Sequence, residues 1–154
     1  MSDQLIDKRS MAMQSNFNDV LTALGRVLLA IIFIYAGASK IGSYAQTAGF
    51  MASHGISGVL LPAVIALELV GGFALAFGLL TRLVAAALAL YSLAAIAIFL
   101  LPPANHMGVI LALAELAFVG GLCDFAARGG GGLSVDRLLF KASGQPGLTR
   151  PAQS

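Results

Sequence analysis

The chain has 154 residues, of which 58% are hydrophobic and only 10% are charged. Soluble domains carry about 25% charged residues, and a chain this short needs a polar coat over most of its surface. The composition therefore excludes a water-soluble globular protein and predicts a single domain in lipid. A net charge of +2 without a basic run excludes a nucleic-acid partner, and the single cysteine, Cys123, excludes an intramolecular disulfide or a CxxC centre.

The first 19 residues are polar and contain Lys8 and Arg9. They are predicted to form a loose tail or a short surface helix, with Asn18 or Asp19 capping the helix that follows. An apolar run then covers residues 20–41. About 20 helical residues cross a hydrocarbon core of ~30 Å, so this run is long enough to span.

Three further apolar runs have the length of a membrane span, and they cover residues 60–80, 83–101 and 106–127. Residues 42–59 are predicted to form the one substantial loop, and the prolines after residue 101 are predicted to break the third helix. No segment alternates in the manner of a strand. We therefore predict an all-α integral membrane four-helix bundle formed by residues 20–127.

Residues 128–154 follow the last span. They begin with Arg128 and four consecutive glycines, Gly129–Gly132, and continue as a polar tail. The glycines match a phosphate-binding loop only in composition, because no Lys-Ser/Thr follows them. The segment is therefore predicted to be a flexible exit from the membrane.

Lysines and arginines outside the spans are distributed unequally between the two membrane faces. The face that holds both termini is predicted to carry Lys8, Arg9, Arg82, Arg128, Arg137, Lys141 and Arg150, whereas the other face carries Lys40 alone. Short cytoplasmic segments are enriched in these residues. This asymmetry predicts that both termini lie in the cytoplasm.

Ionisable residues inside the spans are the strongest indication of a site. Arg26, Glu68 and Glu115 fall at membrane depth, with Asp124 at the margin, and a charge at the helix centre costs roughly 2.5–3.5 kcal/mol. We expect Arg26 to pair with Glu68 or with Glu115, and the sequence leaves both partners open. Helical spacing also places one stripe on the first span that should face the bundle interior: Arg26, Ala30, Phe33, Gly37 and Lys40.

Two interpretations of these charges remain open. In the first, a buried ion pair fixes only the register of the helices. In the second, the unpaired carboxyl belongs to a polar pocket that moves a proton or hydrogen-bonds a quinone carbonyl. The candidate residues for such a ligand or proton site are Arg26, Glu68, Glu115, Lys40, Arg82, Tyr91 and His106. Tyr91 is equally compatible with a core position and His106 with an interfacial one, and no metal-binding motif is present.

Several short motifs resemble the DoxX family of small bacterial inner-membrane proteins. Helix 1 has Gly25-Arg26 followed by Phe33, Gly37 and Lys40. The second span contains Glu68-Leu69-Val70-Gly71-Gly72 and ends in Gly78-Leu79-Leu80-Thr81-Arg82, and Leu133-Ser134-Val135-Asp136 follows the fourth. The resemblance covers about residues 20–137. It implies a four-helix bundle in the bacterial inner membrane and a loose link to quinone, sulfur and oxidative-stress chemistry.

Three functions compete at this stage, and the third, a small-solute or proton permeation unit, would need several copies of the chain because four helices enclose little space. The resemblance favours a redox-associated subunit, and thus a quinone-linked oxidoreductase component if the chain is catalytic. That subunit would bind a quinone or another small lipophilic molecule without a covalent cofactor, with Lys40 and Arg82 at the two mouths of the bundle. The alternative is a non-enzymatic scaffold or assembly partner of another membrane protein. Besides the lipid bilayer, the expected partners are such a protein or further copies of this chain, through faces rich in glycine and alanine.

Overall fold

A computed structural model describes residues 2–101 and 105–142. Within these residues the chain forms six α-helices and no strand. The helices are α1 (Ser2–Gly42), α2 (Tyr44–Ser53), α3 (Leu61–Phe77), α4 (Thr81–Ala95), α5 (His106–Arg128) and α6 (Val135–Ala142), with a 3₁₀ turn at Gly58–Leu60 and a π-helical turn at Ile96–Leu100. All-helical architecture is thereby confirmed.

Four segments of the described chain are long and apolar enough to cross a membrane. They are Met13–Gly42, Gly58–Phe77, Thr81–Leu100 and His106–Arg128. Each coincides with one of the runs identified in the sequence, so the four predicted spans are confirmed. Most large apolar side chains on them face outward, as expected for helices whose surroundings are lipid.

The first helix begins earlier than the sequence analysis predicts. Helix α1 runs without a break through Asn18 and Asp19, so neither residue is an N-cap and the expectation of a loose tail is wrong. No glycine or proline occurs before Gly25 to end a helix in this stretch. Asp19 instead accepts a hydrogen bond from the backbone N–H of Gly132 at 2.8 Å.

The segment between the first two spans is not a simple loop. Helix α2 occupies Tyr44–Ser53, and its Met51 is buried together with Leu61 and Ile65 of α3. Ser57 then caps the 3₁₀ turn by accepting from the backbone N–H of Val59. This short helix therefore packs over the start of α3, because one apolar side of it is buried there.

Glycines allow the central helices to approach closely. A Cβ atom at Gly37 of α1 would lie 2.9 Å from Leu69, and one at Gly72 of α3 would lie 2.7 Å from Ile34. At these two glycines α1 and α3 pack more closely than the other helix pairs, and α4 packs on α5. The predicted interior stripe of α1 is confirmed, since Arg26, Ala30, Phe33 and Gly37 are buried and Lys40 is half-buried.

The end of α4 and the start of α5 differ in local structure. Helix α4 changes to a π-helical turn at Ile96–Leu100, and α5 begins after Asn105, whose side chain accepts from the backbone N–H of Gly108 at 2.9 Å. The predicted break at residues 102–104 lies outside the described residues. Proline at the first turn of α3 is confirmed.

The glycine run after α5 is wrongly predicted to be a flexible exit. Gly129 and Gly131 adopt positive φ angles of 87° and 75°, and a Cβ at Gly130 would lie 2.6 Å from Thr81 Oγ1. The glycine run therefore folds back against the bundle, and α6 follows it in the chain. Residues 143–154 of the predicted polar tail lie outside the described residues.

Candidate functional site

A buried ion pair connects the first two spans. Lys40 Nζ, in the last turn of α1, lies 2.8 Å from both carboxylate oxygens of Glu68 on α3. The Glu68 side chain is only 3% exposed, whereas that of Lys40 is 23% exposed. Gly37 makes this contact possible, because its missing side chain lets the α3 backbone carry Glu68 close to α1.

Two further spans complete this cluster. The hydroxyl of Tyr91 on α4 donates a hydrogen bond to Glu68 Oε1 at 2.6 Å. Glu115 on α5 is half-buried and interacts electrostatically with Glu68, Lys40 and Tyr91. Three spans therefore contribute side chains that are bonded to one another, and Glu115 of the fourth lies near enough to interact with their charges. We call these four residues the Lys40 cluster.

The expected pairing of Arg26 with a glutamate is wrong. Arg26 Nη1 donates to the backbone carbonyl of Gly130 at 3.0 Å and Nη2 donates to that of Leu133 at 2.8 Å. Arg26 and Lys40 are fourteen residues apart on α1, which corresponds to ~21 Å along a helix. The charges thus form two separate clusters rather than one polar layer, because the glycine loop folds back far enough to satisfy Arg26.

The second cluster is held together by Asp136 of α6. Its carboxylate accepts hydrogen bonds from the backbone N–H of Leu80 at 2.6 Å, from that of Thr81 at 2.9 Å and from the Thr81 hydroxyl at 2.9 Å. Leu80 needs this support, because it has a positive φ of 47°, which is uncommon outside glycine. Asp136 thereby caps the first turn of α4 from a distant part of the chain.

The environment of Asp136 stabilises its charged form. Partial burial raises the pKa of this carboxyl, but the hydrogen bonds from Thr81 and Leu80 and the nearby positive charge of Arg26 outweigh burial. The net effect holds the pKa of Asp136 below its usual value. The sequence analysis missed this residue as a member of a site, although its Leu-Ser-Val-Asp motif was part of the family resemblance.

The remaining predicted site residues lie away from the Lys40 cluster. Arg82 is exposed at the start of α4 and lines a cavity of about 590 Å³ next to the glycine loop. His106 is exposed at the first residue of α5. Asp124, at the margin of α5, pairs with Arg128 at 2.7 Å on the helix surface.

The Lys40 cluster has the components of a proton-exchange site. Two carboxyls, one phenol and one ammonium lie at membrane depth, and two of the contacts between them are short hydrogen bonds. The two carboxyls exceed the single ammonium by one negative charge, so one proton shared among them would balance the group. Among the described residues, no three His, Cys, Asp or Glu side chains are arranged to hold a metal ion.

Comparison with known proteins places these clusters in a family. The DoxX profile matches residues 21–101, which include Arg26, Lys40, Glu68 and Tyr91. The chain belongs to the DoxX family. It is 39% identical over 123 residues to the inner membrane protein YqjF of Escherichia coli, covering 80% of this chain and 95% of that protein.

A second relative matches a shorter part of the chain. This DoxX protein is 37% identical over 78 residues to the putative oxidoreductase CatD of Bacillus subtilis, covering 51% of this chain and 58% of CatD. No solved structure matches the chain significantly. The close similarity to a named inner membrane protein and the four spans together show a multi-pass protein of the bacterial inner membrane.

Proposed function

We propose that this DoxX protein is a redox-associated membrane subunit that binds a quinone or another small lipophilic molecule at the Lys40 cluster. The observation that carries the proposal is the convergence of one ionisable side chain from each span at membrane depth. Such groups are costly in the bilayer and mark ion, proton or substrate pathways. Similarity to a putative oxidoreductase supports a redox role.

The geometry assigns a role to each member of the cluster. Lys40 is 23% exposed and would donate a hydrogen bond to a carbonyl of the bound molecule in place of its long 3.5 Å contact with the backbone carbonyl of Ala36. Tyr91 and Glu68 would relay a proton through their 2.6 Å hydrogen bond. Glu115 would exchange the proton with Glu68, because it is half-buried and interacts with the charges of both Glu68 and Lys40.

Extraction of the purified protein tests the binding step. Full-length protein is purified in mild detergent from its native membranes and extracted with organic solvent, and quinone is measured by absorbance. We expect an equimolar quinone in the wild type and a strong loss in E68Q and K40M. The matched control is D124N, which alters a carboxyl that is exposed at the surface of α5.

The proposed proton role is tested by a separate experiment. If quinone-linked electron transfer in membranes is unchanged in both E68Q and E115Q at wild-type protein abundance, the proposed proton role is wrong. If the wild-type extract also contains no quinone or other lipophilic compound, the binding proposal fails as well. D124N should match the wild type in both assays.

A scaffold function is the second candidate, and one feature of the membrane-facing surface favours it. An apolar groove of about 400 Å³ lies between α3 and α4 and is lined in part by Ala66, Gly71, Ala74 and Ala87. Small residues of this kind let a neighbouring helix approach closely in a membrane. An empty extract together with an equimolar membrane protein that co-purifies would favour this candidate over the redox subunit.

The proposed orientation has both termini in the cytoplasm. Seven lysines and arginines flank the spans on the side of the termini, against Lys40 on the other. The Lys40 cluster would then lie toward the periplasmic side, and the second cluster, around Asp136 and Arg26, would lie at the cytoplasmic face. Fusions of alkaline phosphatase and of green fluorescent protein to the C-terminus test this, since only the second should be active.

A further inference from the structure

We infer that the glycine loop after α5 and the arginines around it form a binding site for a phosphate group at one face of the membrane. The cavity of about 590 Å³ lies where α4 begins and α5 ends, so it opens at the end of the spans. Its size falls within the range of about 300–1,000 Å³ that is usual for ligand sites. The quinone proposal does not involve this region.

Three guanidinium groups line this cavity. They belong to Arg82 on α4, Arg128 at the end of α5 and Arg137 on α6. Arg82 forms no ion pair among the described residues, and its Nε would lie 3.4 Å from a Cβ atom placed on Gly129. Planar guanidinium groups bind phosphate oxygens with two parallel hydrogen bonds, which makes arginine suited to this ligand.

The acidic residues near the cavity already have hydrogen-bond or ion-pair partners in the protein. Asp136 is the carboxylate in its lining, and both of its oxygens accept hydrogen bonds from Leu80 and Thr81. Asp124 binds Arg128 on the surface of α5, and Asp19 accepts from the Gly132 N–H and lies 3.7 Å from Arg137. Arg82 is therefore the lining arginine that has no acidic partner among the described residues.

The loop itself supplies further donors. Gly129 donates its N–H to Phe125 and Gly132 donates to Asp19, but the N–H groups of Gly130 and Gly131 have no hydrogen-bond partner within the described residues. Successive backbone N–H groups can form an anion-binding concavity where they converge, and both glycines line this cavity. The loop lacks the Lys-Ser/Thr of nucleotide-binding loops, which argues for a phosphate group without a nucleotide or magnesium.

A buried cation lies beneath the loop. Arg26 is 3% exposed, and its Nε has no hydrogen-bond partner in the described part of the chain. Its two terminal nitrogens fix the carbonyls of Gly130 and Leu133, so these carbonyls point toward Arg26 and the charge of Arg26 acts from below the loop. The charge of Arg26 offsets that of Asp136 in the cavity lining, so the attraction for a phosphate comes from the lining arginines.

Two sources could supply the phosphate group, namely the headgroup of an anionic lipid or free inorganic phosphate. Native mass spectrometry of the full-length protein in neutral detergent compares retention of phosphatidylglycerol with that of phosphatidylcholine. Thermal unfolding, followed by circular dichroism, compares inorganic phosphate with chloride at equal ionic strength. Retention of phosphatidylglycerol alone identifies the lipid, stabilisation by phosphate alone identifies the free ion, and both together show that the phosphate group itself is recognised.

Arginine variants decide whether the cavity is responsible. We expect R82Q and R137Q each to weaken the response by about tenfold, the loss that corresponds to one charge-assisted hydrogen bond. The matched control is R150Q, which removes the same charge from the C-terminal tail. If neither ligand binds, or if R150Q weakens binding as much as R82Q, the proposed site is wrong. Arg82 and Arg137 are both exposed, so their variants should fold.

Discussion

Lys40 and Glu68 form a buried ion pair in which one ammonium nitrogen lies 2.8 Å from both oxygens of the carboxylate. The pair joins the C-terminal turn of α1 to the interior of α3. Since the two helices also meet at Gly37 and Gly72, the ion pair and the glycine contacts fix one relative position of the two spans. The pair therefore contributes to structure as well as to the proposed site.

Replacing one member of the Lys40–Glu68 pair should lower the stability of the fold more than replacing both. K40M leaves Glu68 buried without a counterion, and breaking a buried pair in this way typically costs about 3–5 kcal/mol. The double variant K40M/E68M replaces both charges by apolar groups and should recover most of that loss. Thermal unfolding in detergent, followed by circular dichroism, measures the three proteins. A double variant that is less stable than K40M would contradict this interpretation.

The Tyr91 hydroxyl should contribute measurably to stability. Y91F removes the 2.6 Å hydrogen bond to Glu68, and hydrogen bonds to charged groups contribute about 1.5–3 kcal/mol. The matched control is Y35F, because Tyr35 is 75% exposed on α1. We expect a lower unfolding midpoint for Y91F and an unchanged one for Y35F. Equal midpoints for Y91F and the wild type would show that the hydroxyl adds nothing to the fold.

The glycine loop should not tolerate a side chain at its closest contact. G130A would place a Cβ atom 2.6 Å from Thr81 Oγ1 and 2.7 Å from Arg26 Nη1. Overpacking of this kind typically costs about 1–3 kcal/mol. G120A is the matched control, because a Cβ there meets no atom within 4 Å and alanine is the better helix former. Unfolding midpoints should fall for G130A and stay equal or rise for G120A.

The sequence was sufficient for the spans because their signal is local. Hydrophobic length alone locates them, and helical spacing alone turns Arg26 and Lys40 to the same face of α1. The partners of those residues could not be predicted, because Arg26 binds the loop that folds back after α5 and the partner of Lys40 depends on how α3 packs against α1. The position of Lys40 at the end of its span predicts a place at the mouth of the bundle, whereas its long side chain reaches inward to Glu68.

The glycine run shows a second limit of sequence analysis. Four consecutive glycines indicate backbone freedom, and the same composition serves a flexible linker or a loop with close contacts. Only the fold brings Arg26, Thr81 and Asp19 against it. One local signal was available, because the Leu133-Ser134-Val135-Asp136 motif is polar at the start of a helix.

The cap that Asp136 provides for α4 should be released in acid. Because the pKa of Asp136 is lower in the folded protein than its usual value of about 3.9, the folded state favours the charged carboxylate. Its stabilisation is fully present above the usual pKa and is lost as the pH falls through the lower folded-state value. The transition therefore lies below about pH 4.

The variant D136N isolates this effect, since asparagine cannot carry the charge. We expect D136N to be less stable than the wild type at pH 7, and the difference between their unfolding midpoints to shrink as the pH is lowered below about 4. D124N serves as the control, because Asp124 is exposed and contacts only Arg128 among the described residues. A wild-type advantage that persists undiminished as the pH falls well below the usual pKa of an aspartate would show that the charge of Asp136 is not what holds α6 against the start of α4.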